Sequence, residues 1–380
     1  MKKVFLSCFL ALALSLSLHA QEAPATEWRG VWLTTVRGTD WPDSNDDAAT
    51  QQEKLVTMIR DLKALGINVV FFHAVSNQDA VWPSDILPWS QIFTGKQGGD
   101  PGYDPLALAV KTCREEGLQI HAWLNPFRCG PEDFEWDSKH VVRAHPEFVK
   151  TYNKRLFLDP GLPEVREYLA SIVTELFERY DLDGIHLDDY FYPDGLQEDE
   201  KDWNDDDAWK LYGGGLEKEA WRCANVNAVV KTLHETTHRC KEGAVFGISP
   251  AGRLVNTLRL YADPRDWVSE GSVDYLVPQI YWQHGHPIAD FATVLTEWEI
   301  VVGPVPMFTC LASYRYGEKG FETLEEFDVQ VRECREAPYV SGHVWFPARS
   351  ILREDFATHL KEGVYREEAA VPDITKTTEP

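Results

Sequence analysis

The residues best suited to chemistry in this chain stand side by side. Asp188 and Asp189 close the run Asp183-Gly184-Ile185-His186-Leu187-Asp188-Asp189-Tyr190-Phe191-Tyr192-Pro193, where a strand-like apolar stretch meets two carboxylates and an aromatic cluster. Carboxylates give and take protons, and two held close together push one pKa upward, which suits a general acid. Alternation along a strand puts His186, Asp188 and Tyr190 on one side, with Leu187 and Asp189 pointing the other way until the strand ends. One aspartate there would serve as a cap for the next turn. Two in succession, ringed by Tyr and His, exceed what capping requires.

The elements that must position this pair follow from periodicity. Apolar, β-branched runs recur at residues 29–36, 67–74, 118–124, 183–189, 244–249, 273–281, 305–311 and 340–346. Helical patterns occupy 51–65, 105–116, 163–180, 216–240, 264–270, 288–301, 324–335 and 348–362. Eight strands alternating with eight helices predict an α/β fold, a closed (β/α)8 TIM barrel. Gly66, Gly117 and Gly243 each stand between a helix and the next strand, where a left-handed helix stop is expected. Strand-to-helix connections at 75–104, 125–162 and 190–215 are long, read as structureless, and hold most of the Trp, Pro and Gly; the reverse connections are mostly two or three residues. The long set builds one face of a barrel, so the cleft is expected there. The barrel is assigned to residues 27–365, after a short leader at 21–26 and before a polar tail at 366–380 expected to fray.

Polar and aromatic groups converge on that mouth. Asp40 and Trp41 follow the first strand and His73 ends the second; His121, Trp123 and Asn125 share a side of the third. Gln279 and Tyr281 share a side of the sixth, with Trp282 next, and the eighth carries His343 and Trp345. Of fourteen tryptophans, Trp32, Trp41, Trp82, Trp123, Trp282 and Trp345 lie near strand ends. Flat aromatic faces suit sugar rings; two or three of these are read as platforms, with half or more of the tryptophans in the core. His121 and His186 lie early enough in their strands to be hydrogen-bonded barrel fillers, whereas His73 and His343 are read as rim residues.

Composition narrows the partners. Residues 1–20 combine Lys2 and Lys3, an apolar run to Leu18 and the small-residue end Leu18-His19-Ala20, the pattern of a cleavable export signal. The expected location is periplasmic or extracellular. No stretch approaches the roughly 20 apolar residues of a membrane span, so no membrane insertion is expected. Cys8 precedes most of the apolar run, which argues against a lipid anchor. The formal net charge of −24 disfavours nucleic acid and anionic lipid, while a neutral ligand is indifferent to it. Six further cysteines would be free to bridge in an oxidising compartment, but Cys223 and Cys240 share one predicted helix and lie roughly 25 Å apart. No CxxC or Cys/His spacing appears, so neither a zinc site nor a cofactor is expected. The acidic loop at 197–207 lacks EF-hand spacing and reads as solvated, and no GxSxG marks a serine hydrolase.

In order, Glu27-Trp28-Arg29-Gly30-Val31-Trp32-Leu33, Thr39-Asp40-Trp41-Pro42, His121-Ala122-Trp123-Leu124-Asn125-Pro126, Leu158-Asp159-Pro160-Gly161, the Asp183 to Pro193 run and Pro278-Gln279-Ile280-Tyr281-Trp282 resemble the glycoside-hydrolase-like family 10 proteins, over about residues 27 to 365. The resemblance implies a TIM-type barrel acting on polysaccharide, with peptide-free peptidoglycan strands as the leading substrate. It points to Asp188, Asp189, Asp40, Asn125, Gln279 and Tyr281 as cleft residues. Trp32, Trp41, His73, Trp123, Tyr190, Trp282 and Trp345 complete the expected substrate-binding set.

Glycosidases usually flank the scissile bond with two carboxyl groups, about 5–5.5 Å apart for retention and roughly 6.5–9.5 Å for inversion. Neighbours on a strand aim at opposite faces. Asp188 is therefore the preferred inward carboxylate, Asp189 either tunes its pKa or partners it if the strand breaks at Tyr190, and Asp40 is the next candidate. The same strand is similar to the DGxDxDxE of chitinase-type barrels at Asp183, Gly184 and Asp188, but Tyr190 replaces the glutamate acid. An N-acetylated substrate keeps a substrate-assisted route open, and a barrel that binds glycan without cutting it is the alternative from another class.

Overall fold

Eight of the chain's short apolar runs pair edge to edge into a closed parallel barrel. The structure, a computed structural model, describes residues 24–200 and 203–374; the expected export signal lies outside the described residues. In chain order the strands are β1 (Trp28–Leu33), β2 (Val69–Val75), β3 (Gln119–Leu124), β4 (Arg128–Pro131), β5 (Val149–Tyr152), β6 (Arg155–Leu158), β7 (Gly184–Leu187), β8 (Val245–Ile248), β9 (Tyr275–Leu276), β10 (Met307–Leu311) and β11 (Val340–Trp345). The barrel closes in the order β1-β11-β10-β9-β8-β7-β3-β2, with helices between successive strands, and is a (β/α)8 TIM barrel.

Two apolar layers hold it. Val31, Val70, Phe72, Ile120, Ile185 and Phe246 face outward onto the helices, which bury Leu55, Ile59, Val173 and Val229 against them. Trp28, Phe71, Trp123, Tyr275 and Phe308 fill the interior. Large rings fit there because small residues face them: a β-carbon on Gly184 would lie 2.8 Å from His121 Nδ1, and one on Gly247 would collide with the Tyr275 ring. Local chemistry sets the helix ends. The Asp104 carboxylate accepts the Ala107 N–H ahead of Pro105, and Gly66 takes φ 102° to close the helix Ala48–Leu65.

Four expectations change. The fourth barrel strand stops at Leu187, before both aspartates rather than after them. The 125–162 connection is not structureless: β4, β6 and β5 form an antiparallel sheet there. The acidic loop is anchored rather than simply solvated, since buried Asp205 takes a two-pronged pair from Arg222 at 2.8 and 2.9 Å. The tail does not fray as far as Ile374: Ala370 bonds the backbone of Ala25 and Glu27, and Val371 and Ile374 pack under the interior core. Backbone pairing to the chain before β1 holds this segment despite its polar sequence. All six described cysteines are free thiols.

Candidate active site

Trp123 organises the mouth. Its position on β3 turns it into the barrel, where it stacks on His73 with centroids 3.7 Å apart and on Trp32 at 5.0 Å. Its indole N–H donates to Asp188 Oδ2 at 3.1 Å, and the Tyr190 N–H donates to Oδ1 at 3.3 Å. Asp188 is thus fixed by two donors at the end of β7. Burial is the main force on its proton and pushes the pKa up to about 8, with Asp189 beside it adding to the rise; Arg128, Trp123 and the Tyr190 N–H oppose it. The group is largely protonated at neutral pH, the state of a proton donor.

Asp189 has a different setting. It is half-buried and lines a cavity of about 370 Å³ with Arg128, Tyr190, Asp194, Asn256 and Arg259. Burial raises its pKa, opposed by a hydrogen bond from Gln279 and the charge of Arg128. The Gln279 amide also donates to the Ser249 carbonyl at 3.0 Å, which fixes its orientation. Arg128 lies over the Tyr190 ring at 3.1 Å, and its own N–H donates to Asn125 Oδ1 at 3.0 Å. Asn125 therefore shapes the turn that presents Arg128. The half-buried Tyr281 accepts the Cys310 thiol at 3.4 Å, and its hydroxyl is close enough to feel the charge of Asp189.

Because the strand ends at Leu187, alternation no longer forces the two aspartates to opposite faces: both feel Arg128 at the mouth. Beneath them the Tyr275 hydroxyl meets His121 Nδ1 at 2.9 Å and His186 Nδ1 at 3.1 Å, so these histidines are hydrogen-bonded fillers. Tyr275, unremarked in the sequence, shares its strand face with Val277 and Gln279, and that period of two was the available signal. Buried Trp32 Nε1 and His73 Nε2 have no hydrogen-bond partner among the described residues.

Other expected cleft residues lie elsewhere. Trp41 is buried against Phe72 and Phe93 behind the sheet, its indole bonded to the Gln51 carbonyl at 2.8 Å, and it is not a platform. Trp345 likewise points outward, packing on Phe327 and Phe356 and donating to the Tyr365 hydroxyl at 2.7 Å. Trp82 donates to buried Glu175, and His343 bonds Tyr365 instead of reaching the rim. Asp40 has both oxygens committed, accepting the Thr34 N–H at 2.8 Å and the Arg349 N–H at 2.7 Å. It braces the loop after β1 and lines a separate surface cleft with Lys54 and Arg349. Trp282 is half-buried against Gly252 rather than stacked at the Asp188 end of the mouth.

Comparison with known proteins bears on this architecture. Residues 27–319 match the sequence profile described as glycosyl hydrolase-like 10. The chain belongs to that family. The glycosyl hydrolase YngK of Bacillus subtilis is 31% identical over 391 residues, covering 95% of this chain and 76% of YngK. The glycosyl hydrolase DigH of Escherichia coli is 34% identical over 327 residues, covering 76% of this chain and 74% of DigH. Among solved structures, the PgaB (BpsB) glycoside hydrolase domain of Bordetella bronchiseptica aligns with a TM-score of 0.61 at 13% identity, over 90% of this chain and 99% of that one. That likeness is one of fold. Membership of the glycosyl hydrolase-like 10 family supports a glycosidase-type function for the barrel.

Proposed function

We propose that this barrel hydrolyses glycosidic bonds in peptide-free peptidoglycan strands, with Asp188 as the proton donor and Asp189 as its partner at the anomeric centre. The observation that carries the reading is the asymmetry of two adjacent carboxyl groups at the mouth: Asp188 is buried and held protonated to about pH 8, while Asp189 opens onto the cavity beside Arg128 and Gln279. Transfer of the Asp188 proton to the glycosidic oxygen lets the bond break, a carboxylate at Asp189 offsets the positive charge that develops at the anomeric carbon, and water adds at that carbon and returns a proton to Asp188. The stacked Trp32, Trp123 and His73 supply an aromatic wall beside this position, and the Trp32 indole N–H has no partner among the described residues. The peptidoglycan assignment rests on the ordered motif resemblance. The leader-like residues 1–20 support action outside the cytoplasm, in the periplasm or beyond the cell.

A substrate-assisted variant of the same reaction is favoured by one feature. Consecutive residues reach the bond from the end of a single strand, whereas a nucleophile must attack the face opposite the leaving group. An acetamido oxygen on the sugar would supply that attack, with Asp189 orienting it.

The test is to incubate the purified chain with peptide-free strands and read the products by mass spectrometry, with Asp188→Asn and Asp189→Asn alongside. Water-added fragments that disappear with either substitution support the proposal. Anhydro ends would make the reaction a lyase's, and strands bound but uncut would make the barrel a glycan binder. Substrate deacetylated to the free amine separates the two routes, since only the assisted route needs the acetamido oxygen.

A further inference from the structure

We infer that His234, His238 and Asp274 form a binding site for a divalent transition metal of the zinc type, on the opposite end of the barrel from the cleft. His234 and His238 lie four residues apart on the helix Lys218–Cys240, so their rings leave the same helix face. Asp274 stands immediately before β9, and its Oδ2 accepts the Phe246 N–H at 2.6 Å, which fixes the carboxylate against β8. Both imidazoles turn Nε2 toward it. His234 Nε2 lies 3.4 Å from Oδ1, and His238 Nε2 lies 3.2 Å from Oδ1 and 3.0 Å from Oδ2.

The three ligand atoms lie within 4.8 Å of one another. Tetrahedral zinc with bonds of about 2.0–2.2 Å separates its ligand atoms by roughly 3.3–3.6 Å, so small rotations of these side chains would close the set around an ion. Two imidazoles and a carboxylate, with a fourth position left to water, are a donor set zinc accepts. An ion can reach it, because the side chains are 19%, 42% and 20% exposed.

The two rings sit edge to face with centroids 4.4 Å apart, and one carboxylate faces the Nε2 atoms of both. A metal would engage both rings at once, and the Asp274 carboxylate favours a cation there, in a chain of formal net charge −24. The ion would tie the end of the Lys218–Cys240 helix to the amino ends of β8 and β9, a staple rather than a catalytic centre. No Cys/His spacing marks this trio in the sequence, because the third ligand follows His238 across the whole of β8.

The untagged full chain, stripped with EDTA, is titrated with Zn²⁺ and followed by calorimetry and thermal unfolding. The expected result is one equivalent bound and a Tm higher by about 3–5 °C at a hundredfold excess over Kd. His234→Ala and His238→Ala should each lose both effects while unfolding in EDTA at the wild-type temperature. Absence of uptake, or uptake unchanged in the two variants, overturns the site. Should the variants not fold, wild-type protein loaded with Co²⁺ decides: a tetrahedral visible band supports the site, and an octahedral-type spectrum contradicts it.

Discussion

Glu27 and Asp188 are both buried carboxyl groups flanking barrel strands, at opposite ends, and their protons behave in opposite ways. Glu27, just before β1, takes Arg335 Nε at 2.7 Å and Arg29 Nε at 2.7 Å. Burial works to raise its pKa, but the Arg335 hydrogen bond, with His343 and the two guanidinium charges, outweighs it and holds the group down at about 2. Asp188 has as its close neighbours a second carboxyl group and one arginine, and is driven up to about 8. The amino end of the barrel spends its charges on mutual neutralisation, whereas the carboxyl end leaves one acid under-compensated. The first end is compensated and the second carries the proposed chemistry, as expected of this fold.

Asp188→Asn removes the donated proton and should lower kcat by about 10²–10⁴-fold with substrate affinity retained, checked by steady-state assays on peptide-free strands beside binding measurements. At the other end, Glu27→Gln leaves Arg29 and Arg335 facing each other in a dry site. It should cost about 3–5 kcal/mol of stability in urea unfolding at pH 7, without changing kcat. Because the Glu27 pKa is depressed, the stability it contributes is present above its unfolded value of 4.5 and is lost as pH falls toward 2, so the penalty of the substitution should shrink at pH 3.

Asp188 carries the opposite sign. Its pKa is raised in the folded state, so the native protein loses relative stability as pH rises from 3.8 through about 8. Asp188→Asn should therefore raise the melting temperature at pH 8 and not at pH 4. A variant that melts lower at both would mean that the carboxyl group is well compensated. The smallest effect is expected of Trp123→Phe, which deletes the N–H that favours ionised Asp188. The alkaline limb of the pH–rate profile should move upward by less than about one unit.

Much of the architecture was legible because period-two and helical patterns are strong in a barrel with long elements. The eight strands and Asp188–Asp189 at the carboxyl end of the fourth followed from that. What alternation cannot say is which side of a strand is the interior when both faces are buried. Trp345 and His343 consequently read as rim residues although their neighbours Val344 and Phe346 face inward. Trp41 follows its strand by several residues, and only the fold turns it back against Phe72. The sheet in the 125–162 connection has strands of four residues, one of them Arg-Cys-Gly-Pro, too short and irregular to carry a period. The docking of residues 366–374 uses backbone bonds, to which composition is blind.

The most direct test of Asp188 as the proton donor is the pH dependence of kcat/KM on peptide-free strands, wild type against Asp188→Asn. Activity that falls above about pH 8 in the wild type and is lost in the variant is the predicted result. A variant that keeps wild-type turnover with the same alkaline limb would contradict it and move the acid to another group.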